Sequence, residues 1–234
     1  MGRGRGRGRG KASVTAAPVA SATYPSGAAC FETIYNGVNS AYTFTDAALE
    51  STTSDIFMCG EMYLDSTIGG LGVAMSNFSP AATDGMQVLY VNSTDLLVAS
   101  VAGSTDANLS MATHKDKWVR FMCIYSPDTT GKTTVYIDST TGVQQTATAG
   151  PKGVGNGFTI GRTNGSGIRY WKGRLRNLVK GEGTPTNPTS FTPSDPTTIT
   201  GGVTITGFFY NGNGTNDEGF SGTTLGTPVE TDCT

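Results

Sequence analysis

Few residues in this chain have the type and spacing for covalent chemistry. Retaining hydrolysis of a glycosidic bond needs two carboxyl groups about 5 Å apart. The nearest same-strand pairing is Glu61 with Asp65, in the run Glu61-Met62-Tyr63-Leu64-Asp65. Four residues apart on one strand face, they stand roughly 13 Å apart at about 3.3 Å per residue. The single histidine, His114, lies beside Lys115 and Asp116 and reads as a solvated surface residue. Nothing else supplies an activated nucleophile or an acid/base pair. The chain reads as non-enzymatic and as needing no cofactor.

Metal chemistry finds equally little to work with. Asp65, Asp84, Asp106 and Asp138 are isolated acids with no D-x-D-x-D cluster, and a lone Asp after a strand is ordinarily a turn former. The four cysteines, Cys30, Cys59, Cys123 and Cys233, contain no CxxC pair, which argues against zinc. Cys59 and Cys123 sit in apolar runs and read as buried thiols. Cys30 and Cys233, near opposite ends of the body, are the pair to join if a bridge forms.

Two stretches could bind. Met1–Lys11 alternates Gly with Arg3, Arg5, Arg7 and Arg9 and ends in Lys11, with no acid. The other 11 basic residues face 18 acidic ones, so a cationic arm is attached to a body of net charge −7. Such a segment cannot bury apolar area and is expected to be disordered alone. Docking on an anionic protein surface is the first reading of the arm, nucleic acid the second, and a solvated tail the third. It lacks the Phe or Tyr that would stack on bases. The second stretch, 164–171, offers Asn164, Arg169 and Tyr170 as donors and an aromatic platform for a glycan.

The elements that position these residues are strands. Gly is abundant at 33 residues, only 15% of residues are charged, and no amphipathic helical window exceeds about two turns. Residues 1–27 are the extended basic arm and a small-residue linker. Phe31–Phe44 reads as strand, Asn-Gly turn, strand. Ser54–Leu64 is a long strand with Ile56, Met58, Gly60 and Met62 on one face and Phe57, Cys59, Glu61 and Tyr63 on the other, both largely apolar, as in a central strand between two layers. Gly69–Met75, Met86–Val91, Leu96–Val101, Trp118–Tyr125, Thr133–Asp138, Phe158–Arg162 and Tyr170–Leu178 continue the series. After Gly183 the chain is a Pro/Thr-rich connector with one more strand, Val203–Tyr210, so 183–234 reads as connector and C-terminal strand segment. About ten strands with turns every eight to twelve residues predict an all-β, two-sheet antiparallel β-sandwich.

The order of phrases resembles a known family. Tyr35-Asn36-Gly37-Val38-Asn39-Ser40-Ala41-Tyr42, then Met58–Asp65, Trp118–Tyr125, Thr134–Asp138, Phe158–Arg162 and Tyr170–Leu178 fall in the order seen in laminin-G-like, or concanavalin A-like, jelly rolls. Ser139 stands where that family usually has Gly. The resemblance covers 28–182 and implies the jelly-roll fold, with Trp171 packed in the core. Hydrolases of the family carry an E-x-D-x-E phrase, which this chain lacks, and many relatives hold a rim calcium.

Fold alone does not assign a role, since this one hosts lectins, hydrolases, adhesion modules and virion accessory proteins. No apolar secretory core or membrane-length run is visible. With the cationic arm, these features point to a virion structural protein. The expectation is a phage capsid decoration or tail accessory protein, present in many copies and docked on virion proteins by its arm. A free glycan-binding adhesion module, and a coat subunit whose arm binds nucleic acid, are the alternatives.

Overall fold

The computed structural model describes residues 31–45, 47–50, 54–78, 85–101, 106–126, 132–146, 157–163, 169–209, 223–225 and 229–232. Arg3, Arg5, Arg7, Arg9 and Lys11 of the arm, together with Cys30, Asp84, Asn164 and Cys233, lie outside them.

Strands dominate. In chain order they are β1 (Phe31–Asn36), β2 (Ala41–Phe44), β3 (Ile56–Leu64), β4 (Leu71–Ser76), β5 (Met86–Val91), β6 (Leu96–Val101), β7 (Ala107–Ser110) and β8 (Trp118–Ser126). Then come β9 (Lys132–Ile137), β10 (Val143–Thr146), β11 (Phe158–Ile160), β12 (Lys172–Glu182), β13 (Thr204–Phe209), β14 (Thr223–Leu225) and β15 (Val229–Asp232). Among the described residues the helical content is one turn at Ala47–Glu50 and a 3-10 turn at Pro196–Thr198. Among the described residues no helix is long and apolar enough to cross a membrane.

The strands form two antiparallel sheets. One runs β10, β9, β8, β3, β12, β1, β15, with β13 also paired to β12; the other runs β14, β2, β11, β4, β5, β6, β7. Strands far apart in sequence become neighbours, as β3 and β12 do, pairing from Ile56↔Glu182 to Leu64↔Gly173. Among the described residues after 183, three strands join these sheets: β13 on β12, β14 on β2 and β15 on β1.

The main core lies between the sheets because alternate residues point inward. Ile56, Met58, Met62 and Leu64 of β3, Val135 and Ile137 of β9, and Trp171 beside β12 are all buried there. The opposite face of β3 is also apolar, and the structure shows what covers it. Phe57 and Cys59 pack with Met122, Ile124 and Val179 against Phe191, Ile199 and Phe208. The stretch expected to be a connector is therefore a cover over the outer face of the larger sheet. Strand β12 serves both layers through a bulge. Its register shifts between Arg176 and Val179, Asn177 takes φ 51°, and so Leu178 joins the main core while Val179 faces the cover. Gly60 of β3 lies against this bulge, where a Cβ would come 2.7 Å from the Asn177 carbonyl oxygen.

Cys59 and Cys123 are both free and buried, as expected. They sit on opposite faces of the sheet, one in each apolar cluster. Burial pushes both thiols well above the usual cysteine range, so neither is a thiolate. His114 departs from its expected solvated state. Its side chain is only 17% exposed, with Nδ1 3.6 Å from Asp138 Oδ2, too far for a hydrogen bond.

Candidate functional site

At one rim of the sandwich, three segments distant in sequence enclose an open groove of about 550 Å³. Its walls are the Asn36–Val38 turn, the Thr67–Leu71 loop, and Arg169, Tyr170 and Lys172.

Each wall is fixed by local chemistry. Asn36 caps the β1–β2 turn with its side chain. Its Oδ1 accepts from the backbone N–H groups of Val38 at 2.8 Å and Asn39 at 3.0 Å, an Asx turn. Gly37 is required there twice over: φ is +75°, and a Cβ would come 2.8 Å from Lys172 Cβ. Val38 at the tip is 70% exposed, and Leu71 on the opposite wall is 37% exposed, so the groove has an apolar lip.

The second wall hangs on Asp65. Its Oδ1 accepts from Thr67 N at 2.7 Å and Thr67 Oγ1 at 2.5 Å, while Lys172 Nζ stands 3.9 Å from Oδ2. The Thr67 hydroxyl holds the Asp65 carboxyl below the usual carboxylate range; burial opposes this, and the Thr67 N–H and Lys172 add to it. Lys172 donates to the Thr67 hydroxyl and thereby ties this loop to β12. Ser66 N donates to Asp116 Oδ1 at 2.9 Å, securing the loop from behind. A Cβ at Gly69 or Gly70 would meet nothing within 4 Å, so the loop's crest borders open space.

The third wall contains two of the three residues expected to bind a glycan. Arg169 N donates to Thr163 Oγ1 at 3.1 Å, and Tyr170 bridges to Val73 and Arg162 through its backbone. Both are half-buried and line the groove. Trp171 points the other way and is fully buried. Asn36, Thr67 and Lys172 were missed in the sequence because they read as turn and strand residues. The Asn-Gly turn preceding a strand was visible; its approach to Lys172 was not.

The isolated acids do other work. Asp65 forms its own turn with Thr67. Asp138 sits at φ 50° and accepts from Arg120 N at 2.9 Å. Glu61 is engaged by Arg176 Nε at 3.0 Å and Asn177 Nδ2 at 2.6 Å. Among the described residues no three His, Cys, Asp or Glu side chains come together as metal ligands. In Asp65 and Asp138 one carboxylate oxygen, Oδ1, accepts from N–H or O–H donors: those of Thr67 for Asp65 and the Arg120 N–H for Asp138.

No known family profile matches the sequence, and no curated protein sequence does. Shape gives a clear answer. The chain is similar to domains LG4-5 of the mouse laminin alpha1 chain, with a TM-score of 0.50, 17% identity, and 66% of this chain and 41% of that one covered. It is also similar to a candidate carbohydrate binding protein from Bacteroides ovatus, with a TM-score of 0.55, 12% identity, and 87% of this chain and 60% of that one covered. The chain thus spans about two fifths and three fifths of these two proteins. The fold is a concanavalin A-like jelly roll of the laminin-G kind, as the phrase order implied.

Proposed function

We propose that the protein is a non-enzymatic binding module whose rim groove receives a glycan. The observation that carries this reading is the meeting of Arg169 and Tyr170 with the Asn36 turn, the Thr67–Leu71 loop and Lys172 in one open groove. Such a groove combines an aromatic ring and an apolar lip with a few convergent donors, the usual make-up of a small-ligand site. Tyrosine supplies a flat apolar surface for a pyranose ring and a hydroxyl to orient it. Support also comes from the similar Bacteroides ovatus structure, described as a candidate carbohydrate binding protein.

A glycan array followed by calorimetry on the best ligand tests the idea. Tyr170→Ala and Arg169→Ala are each expected to weaken binding about tenfold or more, roughly 1.4 kcal/mol, with the melting temperature nearly unchanged. An array with no ligand, or a ligand indifferent to both substitutions, would sink this assignment.

The cationic arm on an acidic body supports a second layer of this reading: display on a virus particle. In it, Arg3, Arg5, Arg7, Arg9 and Lys11 dock on an anionic surface of a phage capsid or tail. Many copies then present the sandwich outward, with a host-surface glycan as target. Deleting Met1–Lys11 is expected to abolish co-sedimentation with particles while leaving the melting temperature of the body intact. Attachment that survives the deletion overturns the arm's role. A steeply salt-dependent affinity for nucleic acid that is lost with the arm would favour a coat subunit instead.

A further inference from the structure

The groove carries a charge that the rest of the body lacks. Outside the arm there are 11 basic residues against 18 acidic ones, yet seven of those 11 lie between Asp138 and Glu182, where there is no acid. Three of the seven, Arg162, Arg169 and Lys172, gather around Tyr170. Arg169 and Lys172 line the groove with it. Arg162 stands directly opposite Tyr170 in an antiparallel bridge, which places the two side chains on one face. Among the described residues that line the groove there is no Asp or Glu. We propose that the glycan it takes is acidic: a uronic acid residue whose carboxylate is held by Arg169 while its ring lies on Tyr170. The selectivity rests on the groove being the glycan site proposed above.

The three cations are not equivalent. Lys172 is already engaged, donating to the Thr67 hydroxyl and standing 3.9 Å from Asp65 Oδ2. Its work is to hold the wall. Arg162 and Arg169 have no such partner, since the acid–base pairs among the described residues involve His114, Lys115, Lys172 and Arg176. Arg162 Nε is buried without a hydrogen-bond partner, a donor kept dry that the fold does not use. A guanidinium presents two parallel N–H groups that match the two oxygens of a carboxylate, and such pairs are roughly twice as strong as neutral hydrogen bonds. Arg169 lines the groove and can offer that fork. Arg162 adds positive potential on the face where the sugar ring lies. A neutral sugar would leave both charges unanswered.

Oligomers of galacturonate, glucuronate and mannuronate are titrated calorimetrically into the full chain, each beside its methyl ester, which keeps the ring and removes the charge. At least one acid is expected to bind about tenfold or more tighter than its ester, and added salt should narrow that gap by screening. Arg169→Ala should bring the acid down to the affinity of its ester and leave the ester's own affinity unchanged. The melting temperature should stay that of the parent, because the Arg169 side chain has no partner among the described residues. Arg169→Lys should restore only part of the preference, since it keeps the charge and loses the fork. Tyr170→Ala should weaken acid and ester by the same factor. An acid preference that survives Arg169→Ala, or no preference in any pair, overturns the proposal; so does a sulfated galactan bound more tightly than every uronate. If esters or neutral glycans then still bind in a Tyr170-dependent way, the groove stands as a glycan site and only its charge selectivity falls. Binding of neither acid, ester nor neutral glycan removes both readings.

Discussion

Replacing Trp171 with alanine is expected to destabilise the protein by about 3–5 kcal/mol and to abolish the groove with it. The side chain is fully buried in the main core. Its backbone N–H donates to the Gly161 carbonyl at 2.8 Å, which fixes the chain where it turns into β12. The ring runs beneath the Thr67–Leu71 wall, since a Cβ on Gly72 would come 3.5 Å from Trp171 Cε3. Its Nε1 is buried without a hydrogen-bond partner, so the loss is packing and cavity rather than a broken polar contact. Tyr170 and Lys172, on either side, would lose the anchor that holds them toward the groove. Denaturant titration checks this. Tyr170→Ala should stay within about 1 kcal/mol of the parent while losing ligand, whereas Trp171→Ala should lose both. A Trp171→Ala protein as stable as the parent would mean that the ring is not part of the core.

That contrast between neighbours shows which features could be read in advance. Period-two alternation is a local property, so the two apolar faces of β3 and the inward Val135 and Ile137 were legible, while the buried Trp171 was implied by the resemblance. The sandwich followed from them. The bulge at Asn177 was not legible. It reverses which face Leu178 and Val179 occupy, and nothing in Arg176-Asn177-Leu178-Val179 distinguishes it from a regular strand. Asn177 takes φ 51° in the structure, a conformation that asparagine tolerates better than most residues. The groove was half legible for the same reason. Arg169 and Tyr170 announce themselves by type. Lys172 acts through Thr67 and Asp65, more than a hundred residues earlier in the chain, and only the sheet order brings them together.

The cover was not legible for a different reason: a Pro/Thr-rich composition marks a connector but does not report which of its side chains are buried. Pro185, Pro188, Pro193 and Pro196 mark a chain that cannot join a sheet ladder, and such a chain can still bury side chains. Phe191 is 1% exposed, and the guanidinium of Arg120 lies 5.4 Å from its ring centroid. The same guanidinium donates to the Phe191 carbonyl at 2.9 Å and to the Thr189 carbonyl. One arginine of β8 therefore holds the cover by its ring and its backbone together. Asn187 closes the far side, donating to the Thr198 carbonyl at 2.7 Å and accepting from Thr200 N at 2.8 Å.

Phe191→Ala should consequently open the cover before it unfolds the sandwich. Truncating a buried phenylalanine costs about 3–5 kcal/mol when the whole fold must bear the cavity. Here the segment can instead lift away, exposing Phe57, Met122, Ile124 and Val179 to water. The expected signature is faster amide exchange over 187–209, while β3, β8 and β12 keep most of their protection. Arg120→Met is expected to give a milder version, since it keeps the aliphatic stem over the ring but leaves the Thr189 and Phe191 carbonyls without their donor. Uniform loss of protection in Phe191→Ala would mean that cover and sandwich open as one unit. Unchanged protection would mean that Phe191 does not hold the cover. A lifted cover bares a contiguous apolar strip on the outer face, so Phe191→Ala should also aggregate more readily than the parent at equal concentration.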